Sequence, residues 1–328
     1  LADEGGVSFW LPGMFGSLAT VPQQEPGWSV ATMYYHTSVS AGSDVAFARE
    51  FELGRVPANL TGSLSATLNG TGDLGIVAPN YAFATPILGG QASVGMMAIV
   101  GNTSASLAGT LSGSIGGVPF MRSDNISSSI TGVGDLYPIA SLKWNQGVNN
   151  YMTYITGDIP VGAYDSTRLA NIGIGHGAID AGGGYTYFNP QTGHEFSAVG
   201  GFTYNFVNPA TNYQNGIDFH LDMAASQFLT KQVLIGAVGY AYDQLTPDRG
   251  SAPILGPIES RVLGVGPQIG YLFPVGNMQG YLNLKAYFEF DSHDRPSGFN
   301  TWLTFAISPA APPAATPPPS KSPGMIYK

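Results

Sequence analysis

The chain has 328 residues, of which only 10% are charged and 44% are hydrophobic, with a formal net charge of −9 and no cysteine. Soluble domains carry about 25% charged residues, so the deficit requires an apolar solvent or a very large core, and the acidity excludes nucleic acid, whose phosphates need a basic footprint. The missing thiols exclude disulfides, thiol nucleophiles and cysteine-held zinc or iron–sulfur centres.

Cysteine avoidance suits a chain that crosses an oxidising periplasm unfolded, and Leu1-Ala2-Asp3 fits the start of a processed, exported chain. Residues 1–27 are punctuated by Gly and Pro around an apolar centre, Val7-Ser8-Phe9-Trp10-Leu11 and Met14-Phe15. Too short for a domain and too apolar for a free tail, they are expected to fold back as a plug-like segment. Strand-like stretches follow at 28–41, 58–87, 89–114, 122–147, 148–162, 177–189, 193–207, 216–229, 231–245, 259–274, 278–292 and 298–308. The longest apolar run, around Val94 to Val100, is strand-sized and far short of the ~18–20 residues of a membrane helix. After Ser308 the prolines of residues 309–328 predict an extended tail outside the sheet.

The stretch from Gly280 to Asp291 shows the governing pattern. Leu282, Leu284, Ala286, Phe288 and Phe290 share one strand face, and Tyr281, Asn283, Lys285, Tyr287, Glu289 and Asp291 share the other. The alternation recurs at 136–145, 193–207, 216–223 and 262–273, with no helix-period segment to pack against. This predicts an all-β transmembrane barrel, antiparallel and up-and-down, with its apolar face toward lipid and its polar face around a lumen. Connections alternate between tight turns (Leu88-Gly89, Gly147, 190–192, Thr230, 275–277) and longer loops (42–57, 115–121, 163–176, 208–215, 246–258, 293–297). About twelve strands, an even number, put both chain ends on the short-turn, periplasmic side. The Ser/Thr/Gly-rich stretches 58–72 and 103–114 suit either a ribbon beyond the membrane or a loosely paired wall.

Several motifs occur in order. They are Gly132-Val133-Gly134-Asp135-Leu136, Thr156-Gly157-Asp158 before Tyr164-Asp165, and 208–213 (Asn-Pro-Ala-Thr-Asn-Tyr), then 266–271 (Gly-Pro-Gln-Ile-Gly-Tyr) and 299–305 (Phe-Asn-Thr-Trp-Leu-Thr-Phe). Together they resemble the bacterial outer-membrane proteins of the meta-pathway of phenol degradation family, over roughly residues 5–308. The resemblance implies passage of small hydrophobic or aromatic compounds across the outer membrane. Barrels of this kind usually end on an aromatic residue, whereas here Phe305 is followed by Ala-Ile-Ser and the prolines.

The candidate substrate path is the plug cluster Phe9, Trp10, Leu11 and Phe15, which either holds an aromatic solute or simply seals the lumen. Lumen-lining candidates are Lys143, Asp158, Glu195, Asn205, Asp218, His220, Asp222, Gln268, Asn283, Lys285, Tyr287 and Glu289. A Lys facing mid-bilayer lipid would cost about 2–4 kcal/mol, which sends Lys143 and Lys285 inward. Asp218, His220 and Asp222 spread over roughly 13 Å at about 3.3 Å per residue, too far to close a metal site alone, so they are expected to line the lumen. The five histidines are scattered. The glycines around 173–177 and 182–184 read as a flexible outer loop and a barrel-facing bend, since no phosphate-loop helix follows. No nucleophile–base pair stands out, so no enzymatic activity, cofactor or metal is expected. Twelve strands enclose too little for a wide aqueous pore, which favours a restricted, substrate-specific path. The function expected is therefore a monomeric passive channel in outer-membrane lipid and lipopolysaccharide, with small hydrophobic or aromatic molecules as its solutes. The alternative is a structural or adhesive barrel whose loops bind partners without solute flux.

Overall fold

The computed structural model describes residues 8–42, 62–115, 118–250 and 259–310. Twelve antiparallel strands close into one barrel, each pairing with its neighbours in sequence and β1 sealing against β12. They are β1 (Gly27–Ala41), β2 (Gly62–Ala82), β3 (Gln91–Ile115), β4 (Val118–Gln146), β5 (Asn149–Asp158) and β6 (Ala178–Phe188), then β7 (His194–Asn205), β8 (Asp218–Phe228), β9 (Val233–Gln244), β10 (Arg261–Val275), β11 (Met278–His293) and β12 (Ser297–Pro309). No helix occurs among the described residues. Most of the expected loops 42–57 and 246–258, residues 116–117 of the expected loop 115–121, the first seven residues and the proline stretch after residue 310 lie outside the described residues.

The alternation that predicts the strands also sets their faces. On β11, Leu282, Leu284, Phe288 and Phe290 are exposed outward while Asn283, Lys285 and Tyr287 are buried inward. The outward band continues through Ile269, Phe196, Phe202, Ile155, Val94 and Leu303. Aromatic pairs gird both ends: Trp28–Tyr81, Phe188–Phe228 and Phe273–Phe305 near the tight turns, and Phe288–Phe299, Phe202–Phe219 and Tyr204–Phe206 near the long loops. An exposed apolar band between two aromatic girdles is the outer surface of a membrane-spanning barrel. The tight turns use left-handed backbone at Leu88, Gly89, Gly147 and Gly276.

Two features depart from a plain cylinder. The strands β2, β3 and β4 run 21, 25 and 29 residues, and their pairing continues unbroken from the membrane band to Gly62↔Gly113 and Ile115↔Val118. They form the ribbon beyond the membrane that the Ser/Thr/Gly content left undecided. Lower down, a bulge between Ala98/Val100 of β3 and Val133/Leu136 of β4 inserts an extra residue into β4 and flips its parity.

Candidate functional site

Residues 8–26 precede β1 and rise from the short-turn rim into the lumen. An irregular segment inside a barrel has no ladder for its N–H and C=O groups, so the wall must supply partners. Four charged side chains do so. Lys143 Nζ donates to the Ala19 carbonyl (2.9 Å), and Glu195 accepts from the Ser17 hydroxyl (2.7 Å) and the Leu18 amide (3.0 Å). Asp222 accepts from the amides of Gly13 (2.7 Å) and Phe15 (3.1 Å). Lys285 Nζ donates to the carbonyls of Gly13 (2.5 Å), Met14 (3.0 Å) and Phe15 (3.2 Å). Asp222 and Lys285 thus hold the same turn, one by its donors and one by its acceptors, with charge-assisted bonds. Gly13, at φ +85°, lies where an added Cβ would be 2.8 Å from the Tyr287 ring, so only glycine fits.

Strand glycines make room for the plug. A Cβ on Gly184 would meet Thr20 and Val199 at 2.8 Å, and one on Gly201 would sit 2.3 Å from the Tyr154 hydroxyl and 2.9 Å from His220 Nε2. In the space they leave, the Trp10 indole stacks on the His220 ring at 3.6 Å and 13°. His220 Nε2 lies 2.9 Å from Asp180 Oδ2 and 3.2 Å from the Tyr154 hydroxyl, and the Thr203 hydroxyl donates to the same Asp180 oxygen (2.7 Å). The opposite flank is apolar: Phe9 packs on Tyr137 (5.6 Å between rings), and Phe9, Trp10, Leu11 and Met14 face Ile76, Met97 and Ile99.

Above the plug, toward the long loops, a cavity of about 170 Å³ opens among Trp10, Leu11, Tyr35, Leu68, Leu74 and Ile172. Thr37, Asn69, Thr103, Asn171, Glu289 and Arg295 also line it, so its wall is apolar in the main and polar in part. A dry apolar cavity of about 150 Å³ is enough to hold benzene. This space therefore has the volume for one small aromatic molecule, with Trp10 as its floor.

Every lumen-lining residue expected from the sequence points inward. Besides the four that hold the plug, Gln268 donates to the Ser17 hydroxyl (2.8 Å), Asn283 to the Ile269 carbonyl (3.1 Å), and the Tyr287 hydroxyl to the Gly13 carbonyl (3.3 Å). Glu289 accepts from the Tyr240 hydroxyl and the Gly298 amide (both 2.7 Å), and Asn205 donates to Asp218 (2.8 Å). Asp158 is buried with both oxygens unpartnered. The structure thus gathers Lys143, Glu195, Asp222, Gln268, Lys285 and Tyr287 around the plug, leaving Asp158, Asn205 and Asp218 toward the long loops.

One expectation is corrected. The glycine-rich 173–177 segment is not a flexible outer loop but is folded into the mouth, with Ile172, Ile174 and His176 buried. Asp135, turned inward by the β4 bulge, pulls it there by accepting from the amides of Gly162 (2.6 Å) and Ile174 (2.8 Å). Glycine at 173 eases this close approach, since a Cβ would sit 3.0 Å from the Gly162 carbonyl carbon and 3.1 Å from the Asp135 carboxylate. Sequence reasoning missed Asp135 because the bulge breaks the alternation. It also passed over Asp180 and Tyr154, although both occupy inward positions of β6 and β5 that period-two counting reaches. Further out, the Thr167 hydroxyl and amide hold the Asp165 carboxyl below its usual range, while burial pushes Asp248 up against the pull of a hydrogen bond from Tyr213.

An outer membrane channel from Pseudomonas putida F1 is similar in fold, with a TM-score of 0.62 at 12% identity over 87% of this chain and 97% of that one. The transport unit of the autotransporter AIDA-I from Escherichia coli (TM-score 0.38, 9% identity, 89% and 92% covered) and a FadL homologue from Pseudomonas aeruginosa (0.36, 9%, 87% and 90%) align too weakly to bear on this chain. No curated protein matches the sequence. The family model described as "Putative MetA-pathway of phenol degradation" matches residues 55–305, from before β2 into β12, and the chain belongs to that family.

Proposed function

We propose that the protein is an outer-membrane channel through which small hydrophobic or aromatic molecules diffuse passively inward. The observation that carries this reading is the mostly apolar cavity of about 170 Å³ floored by Trp10 and facing the long-loop rim. A solute enters there, meets the Phe9–Phe15 segment, and leaves when that segment shifts. The barrel acts as a monomer embedded in outer-membrane lipid and lipopolysaccharide, performs no catalysis and needs no energy source. Both family membership and the channel fold of the P. putida relative support it.

Deleting residues 1–22 tests it in asymmetric vesicles with a lipopolysaccharide outer leaflet, following naphthalene entry. Faster, less selective entry is the expected result. An unchanged rate and selectivity would remove the plug from the path. The long β2–β4 ribbon favours a second reading, a structural or adhesive barrel, and single-channel recording separates the two: a barrel that never conducts and passes no naphthalene supports the second.

A further inference from the structure

We propose that the β2–β3–β4 ribbon above the long-loop rim is a capture surface for small apolar solutes, whose inward face continues the lumen cavity outward. This rests on the channel reading and adds to it a place of first binding. Three observations carry it.

The first is an inversion of polarity along the same strands. Within the membrane band the outward positions are apolar (Val77, Val94, Val100, Val133). On the ribbon the outward positions become Asn69, Thr71, Ser104, Ser106, Ser127 and Ser129, cross-linked by hydroxyl bonds such as Thr71–Ser104 (2.6 Å). Its inward positions carry Leu68, Ala105, Leu107, Ile126 and Ile130, with the hydroxyls of Thr103 and Ser128 between them, and Leu68, Leu107 and Ile126 lie directly opposite one another. A ribbon standing in water or polar sugar needs a hydrophilic outer face. An apolar face turned toward the axis of the mouth is the arrangement that attracts an apolar solute.

The second is continuity. The cavity floored by Trp10 is walled above by Leu68, Gly70, Gly72, Thr103 and Ala105, so the ribbon face and the lumen site are one surface. The third is the pair of glycines at its foot. A Cβ on Gly72 would lie 3.2 Å from the Thr37 methyl, and one on Gly70 3.4 Å from Val39. With hydrogen there instead, the ribbon lies close to the end of β1 without filling the passage. The occupant these features fit is a single small aromatic molecule, since the space is narrow and mostly apolar, with hydroxyl and amide side chains only in part of its wall.

The chain has no cysteine, so one introduced thiol labels uniquely. In the full-length protein, Ala105→Cys on the inward face and Ser127→Cys on the outward face are each labelled with bimane and titrated with nitrobenzene, a quencher. Saturable quenching at position 105 and only linear, collisional quenching at 127 is the result expected. Equal linear quenching at both sites would overturn the inference whatever happens to flux. In naphthalene entry, Leu107→Asp, on the inward ribbon face and outside the cavity lining, should raise the half-saturating concentration about tenfold with the limiting flux unchanged, because a charge there repels the solute from the ramp and not from the lumen. The outward control Ser127→Asp should change nothing. A wild-type barrel that conducts while Leu107→Asp shows the same concentration dependence sinks the ribbon and spares the channel; a wild type passing no naphthalene sinks both. Should Leu107→Asp fail to fold, seen as loss of heat-modifiable mobility, the two cysteine variants still decide.

Discussion

Replacing Lys285 by Met should release the plug while leaving the barrel standing. The ammonium is 2% exposed and donates to three consecutive plug carbonyls at 2.5, 3.0 and 3.2 Å. Methionine matches its length, so the wall loses charge and donors with little change in volume. The Met14 and Phe15 carbonyls are then orphaned, the Gly13 carbonyl keeps only the Tyr287 hydroxyl, and Asp222, holding the amides of the same turn, loses its compensating charge. Leaving a buried polar group without its partner costs about 1–3 kcal/mol each, and a total of about 4 kcal/mol lowers the docked-to-undocked ratio roughly a thousandfold. The barrel ladder is untouched, because Lys285 pairs with Gln268 and Trp302 through its backbone. In planar bilayers the variant should therefore show frequent large openings, and chymotrypsin should cut at Phe9, Trp10 or Phe15 in a barrel that still migrates as folded. The same exchange at Lys231, exposed in the β8–β9 turn, should alter neither readout. Unchanged conductance together with an uncut segment in Lys285→Met would refute the idea that charge holds the plug.

Three other perturbations probe separate parts of the architecture. Gly184→Val places methyl groups against Thr20 and Val199, where even a Cβ meets them at 2.8 Å, and should cost about 1–3 kcal/mol by overpacking, read as raised basal conductance. Leu284→Lys, on the exposed face of β11, should lower the unfolding free energy in bilayers by about 2–4 kcal/mol in urea titrations, with single-channel behaviour unaltered. Asp135→Ala orphans the amides of Gly162 and Ile174 at about 1–3 kcal/mol each, and should expose the 163–176 loop to trypsin at Arg168.

The barrel was legible because its signal is local. Period-two alternation between tight glycine turns locates each strand to within a few residues: 278–292 against Met278–His293, and 193–207 against His194–Asn205. Faces follow from the same count, which is why Asn283, Lys285 and Tyr287 could be sent inward. What a face touches is not local. Lys285 and Gly13 lie 272 positions apart in sequence, and nothing near either marks the other. The bulge in β4 is a one-residue event that period counting averages away, so Asp135 and the loop it draws in were misjudged together. The ribbon stayed undecided because Ser, Thr and Gly alternate too weakly with Leu to distinguish a solvated strand from a frayed wall.

The charges of the lumen acquire a reason once the plug is in place. Glu195, Asp222, Gln268 and Lys285 lie on β7, β8, β10 and β11, and they engage the plug through polar bonds. The facing wall, from β1 to β5, offers Tyr35, Ile76, Met97, Ile99 and Tyr137 to residues 9–14 through apolar contact, and its polar bonds fall lower on the plug, from Lys143 to Ala19 and between Gln91 and Gln23. Had the plug been held by apolar packing on both sides, its aromatic side chains would be consumed in holding it. By satisfying the plug's backbone with side chains on rigid strands, the polar wall leaves Trp10 and Leu11 free to form the cavity floor. An acidic, charged lumen and an apolar solute path are thus compatible, because the charges are spent on the chain's own amides and carbonyls and few remain for the solute to meet.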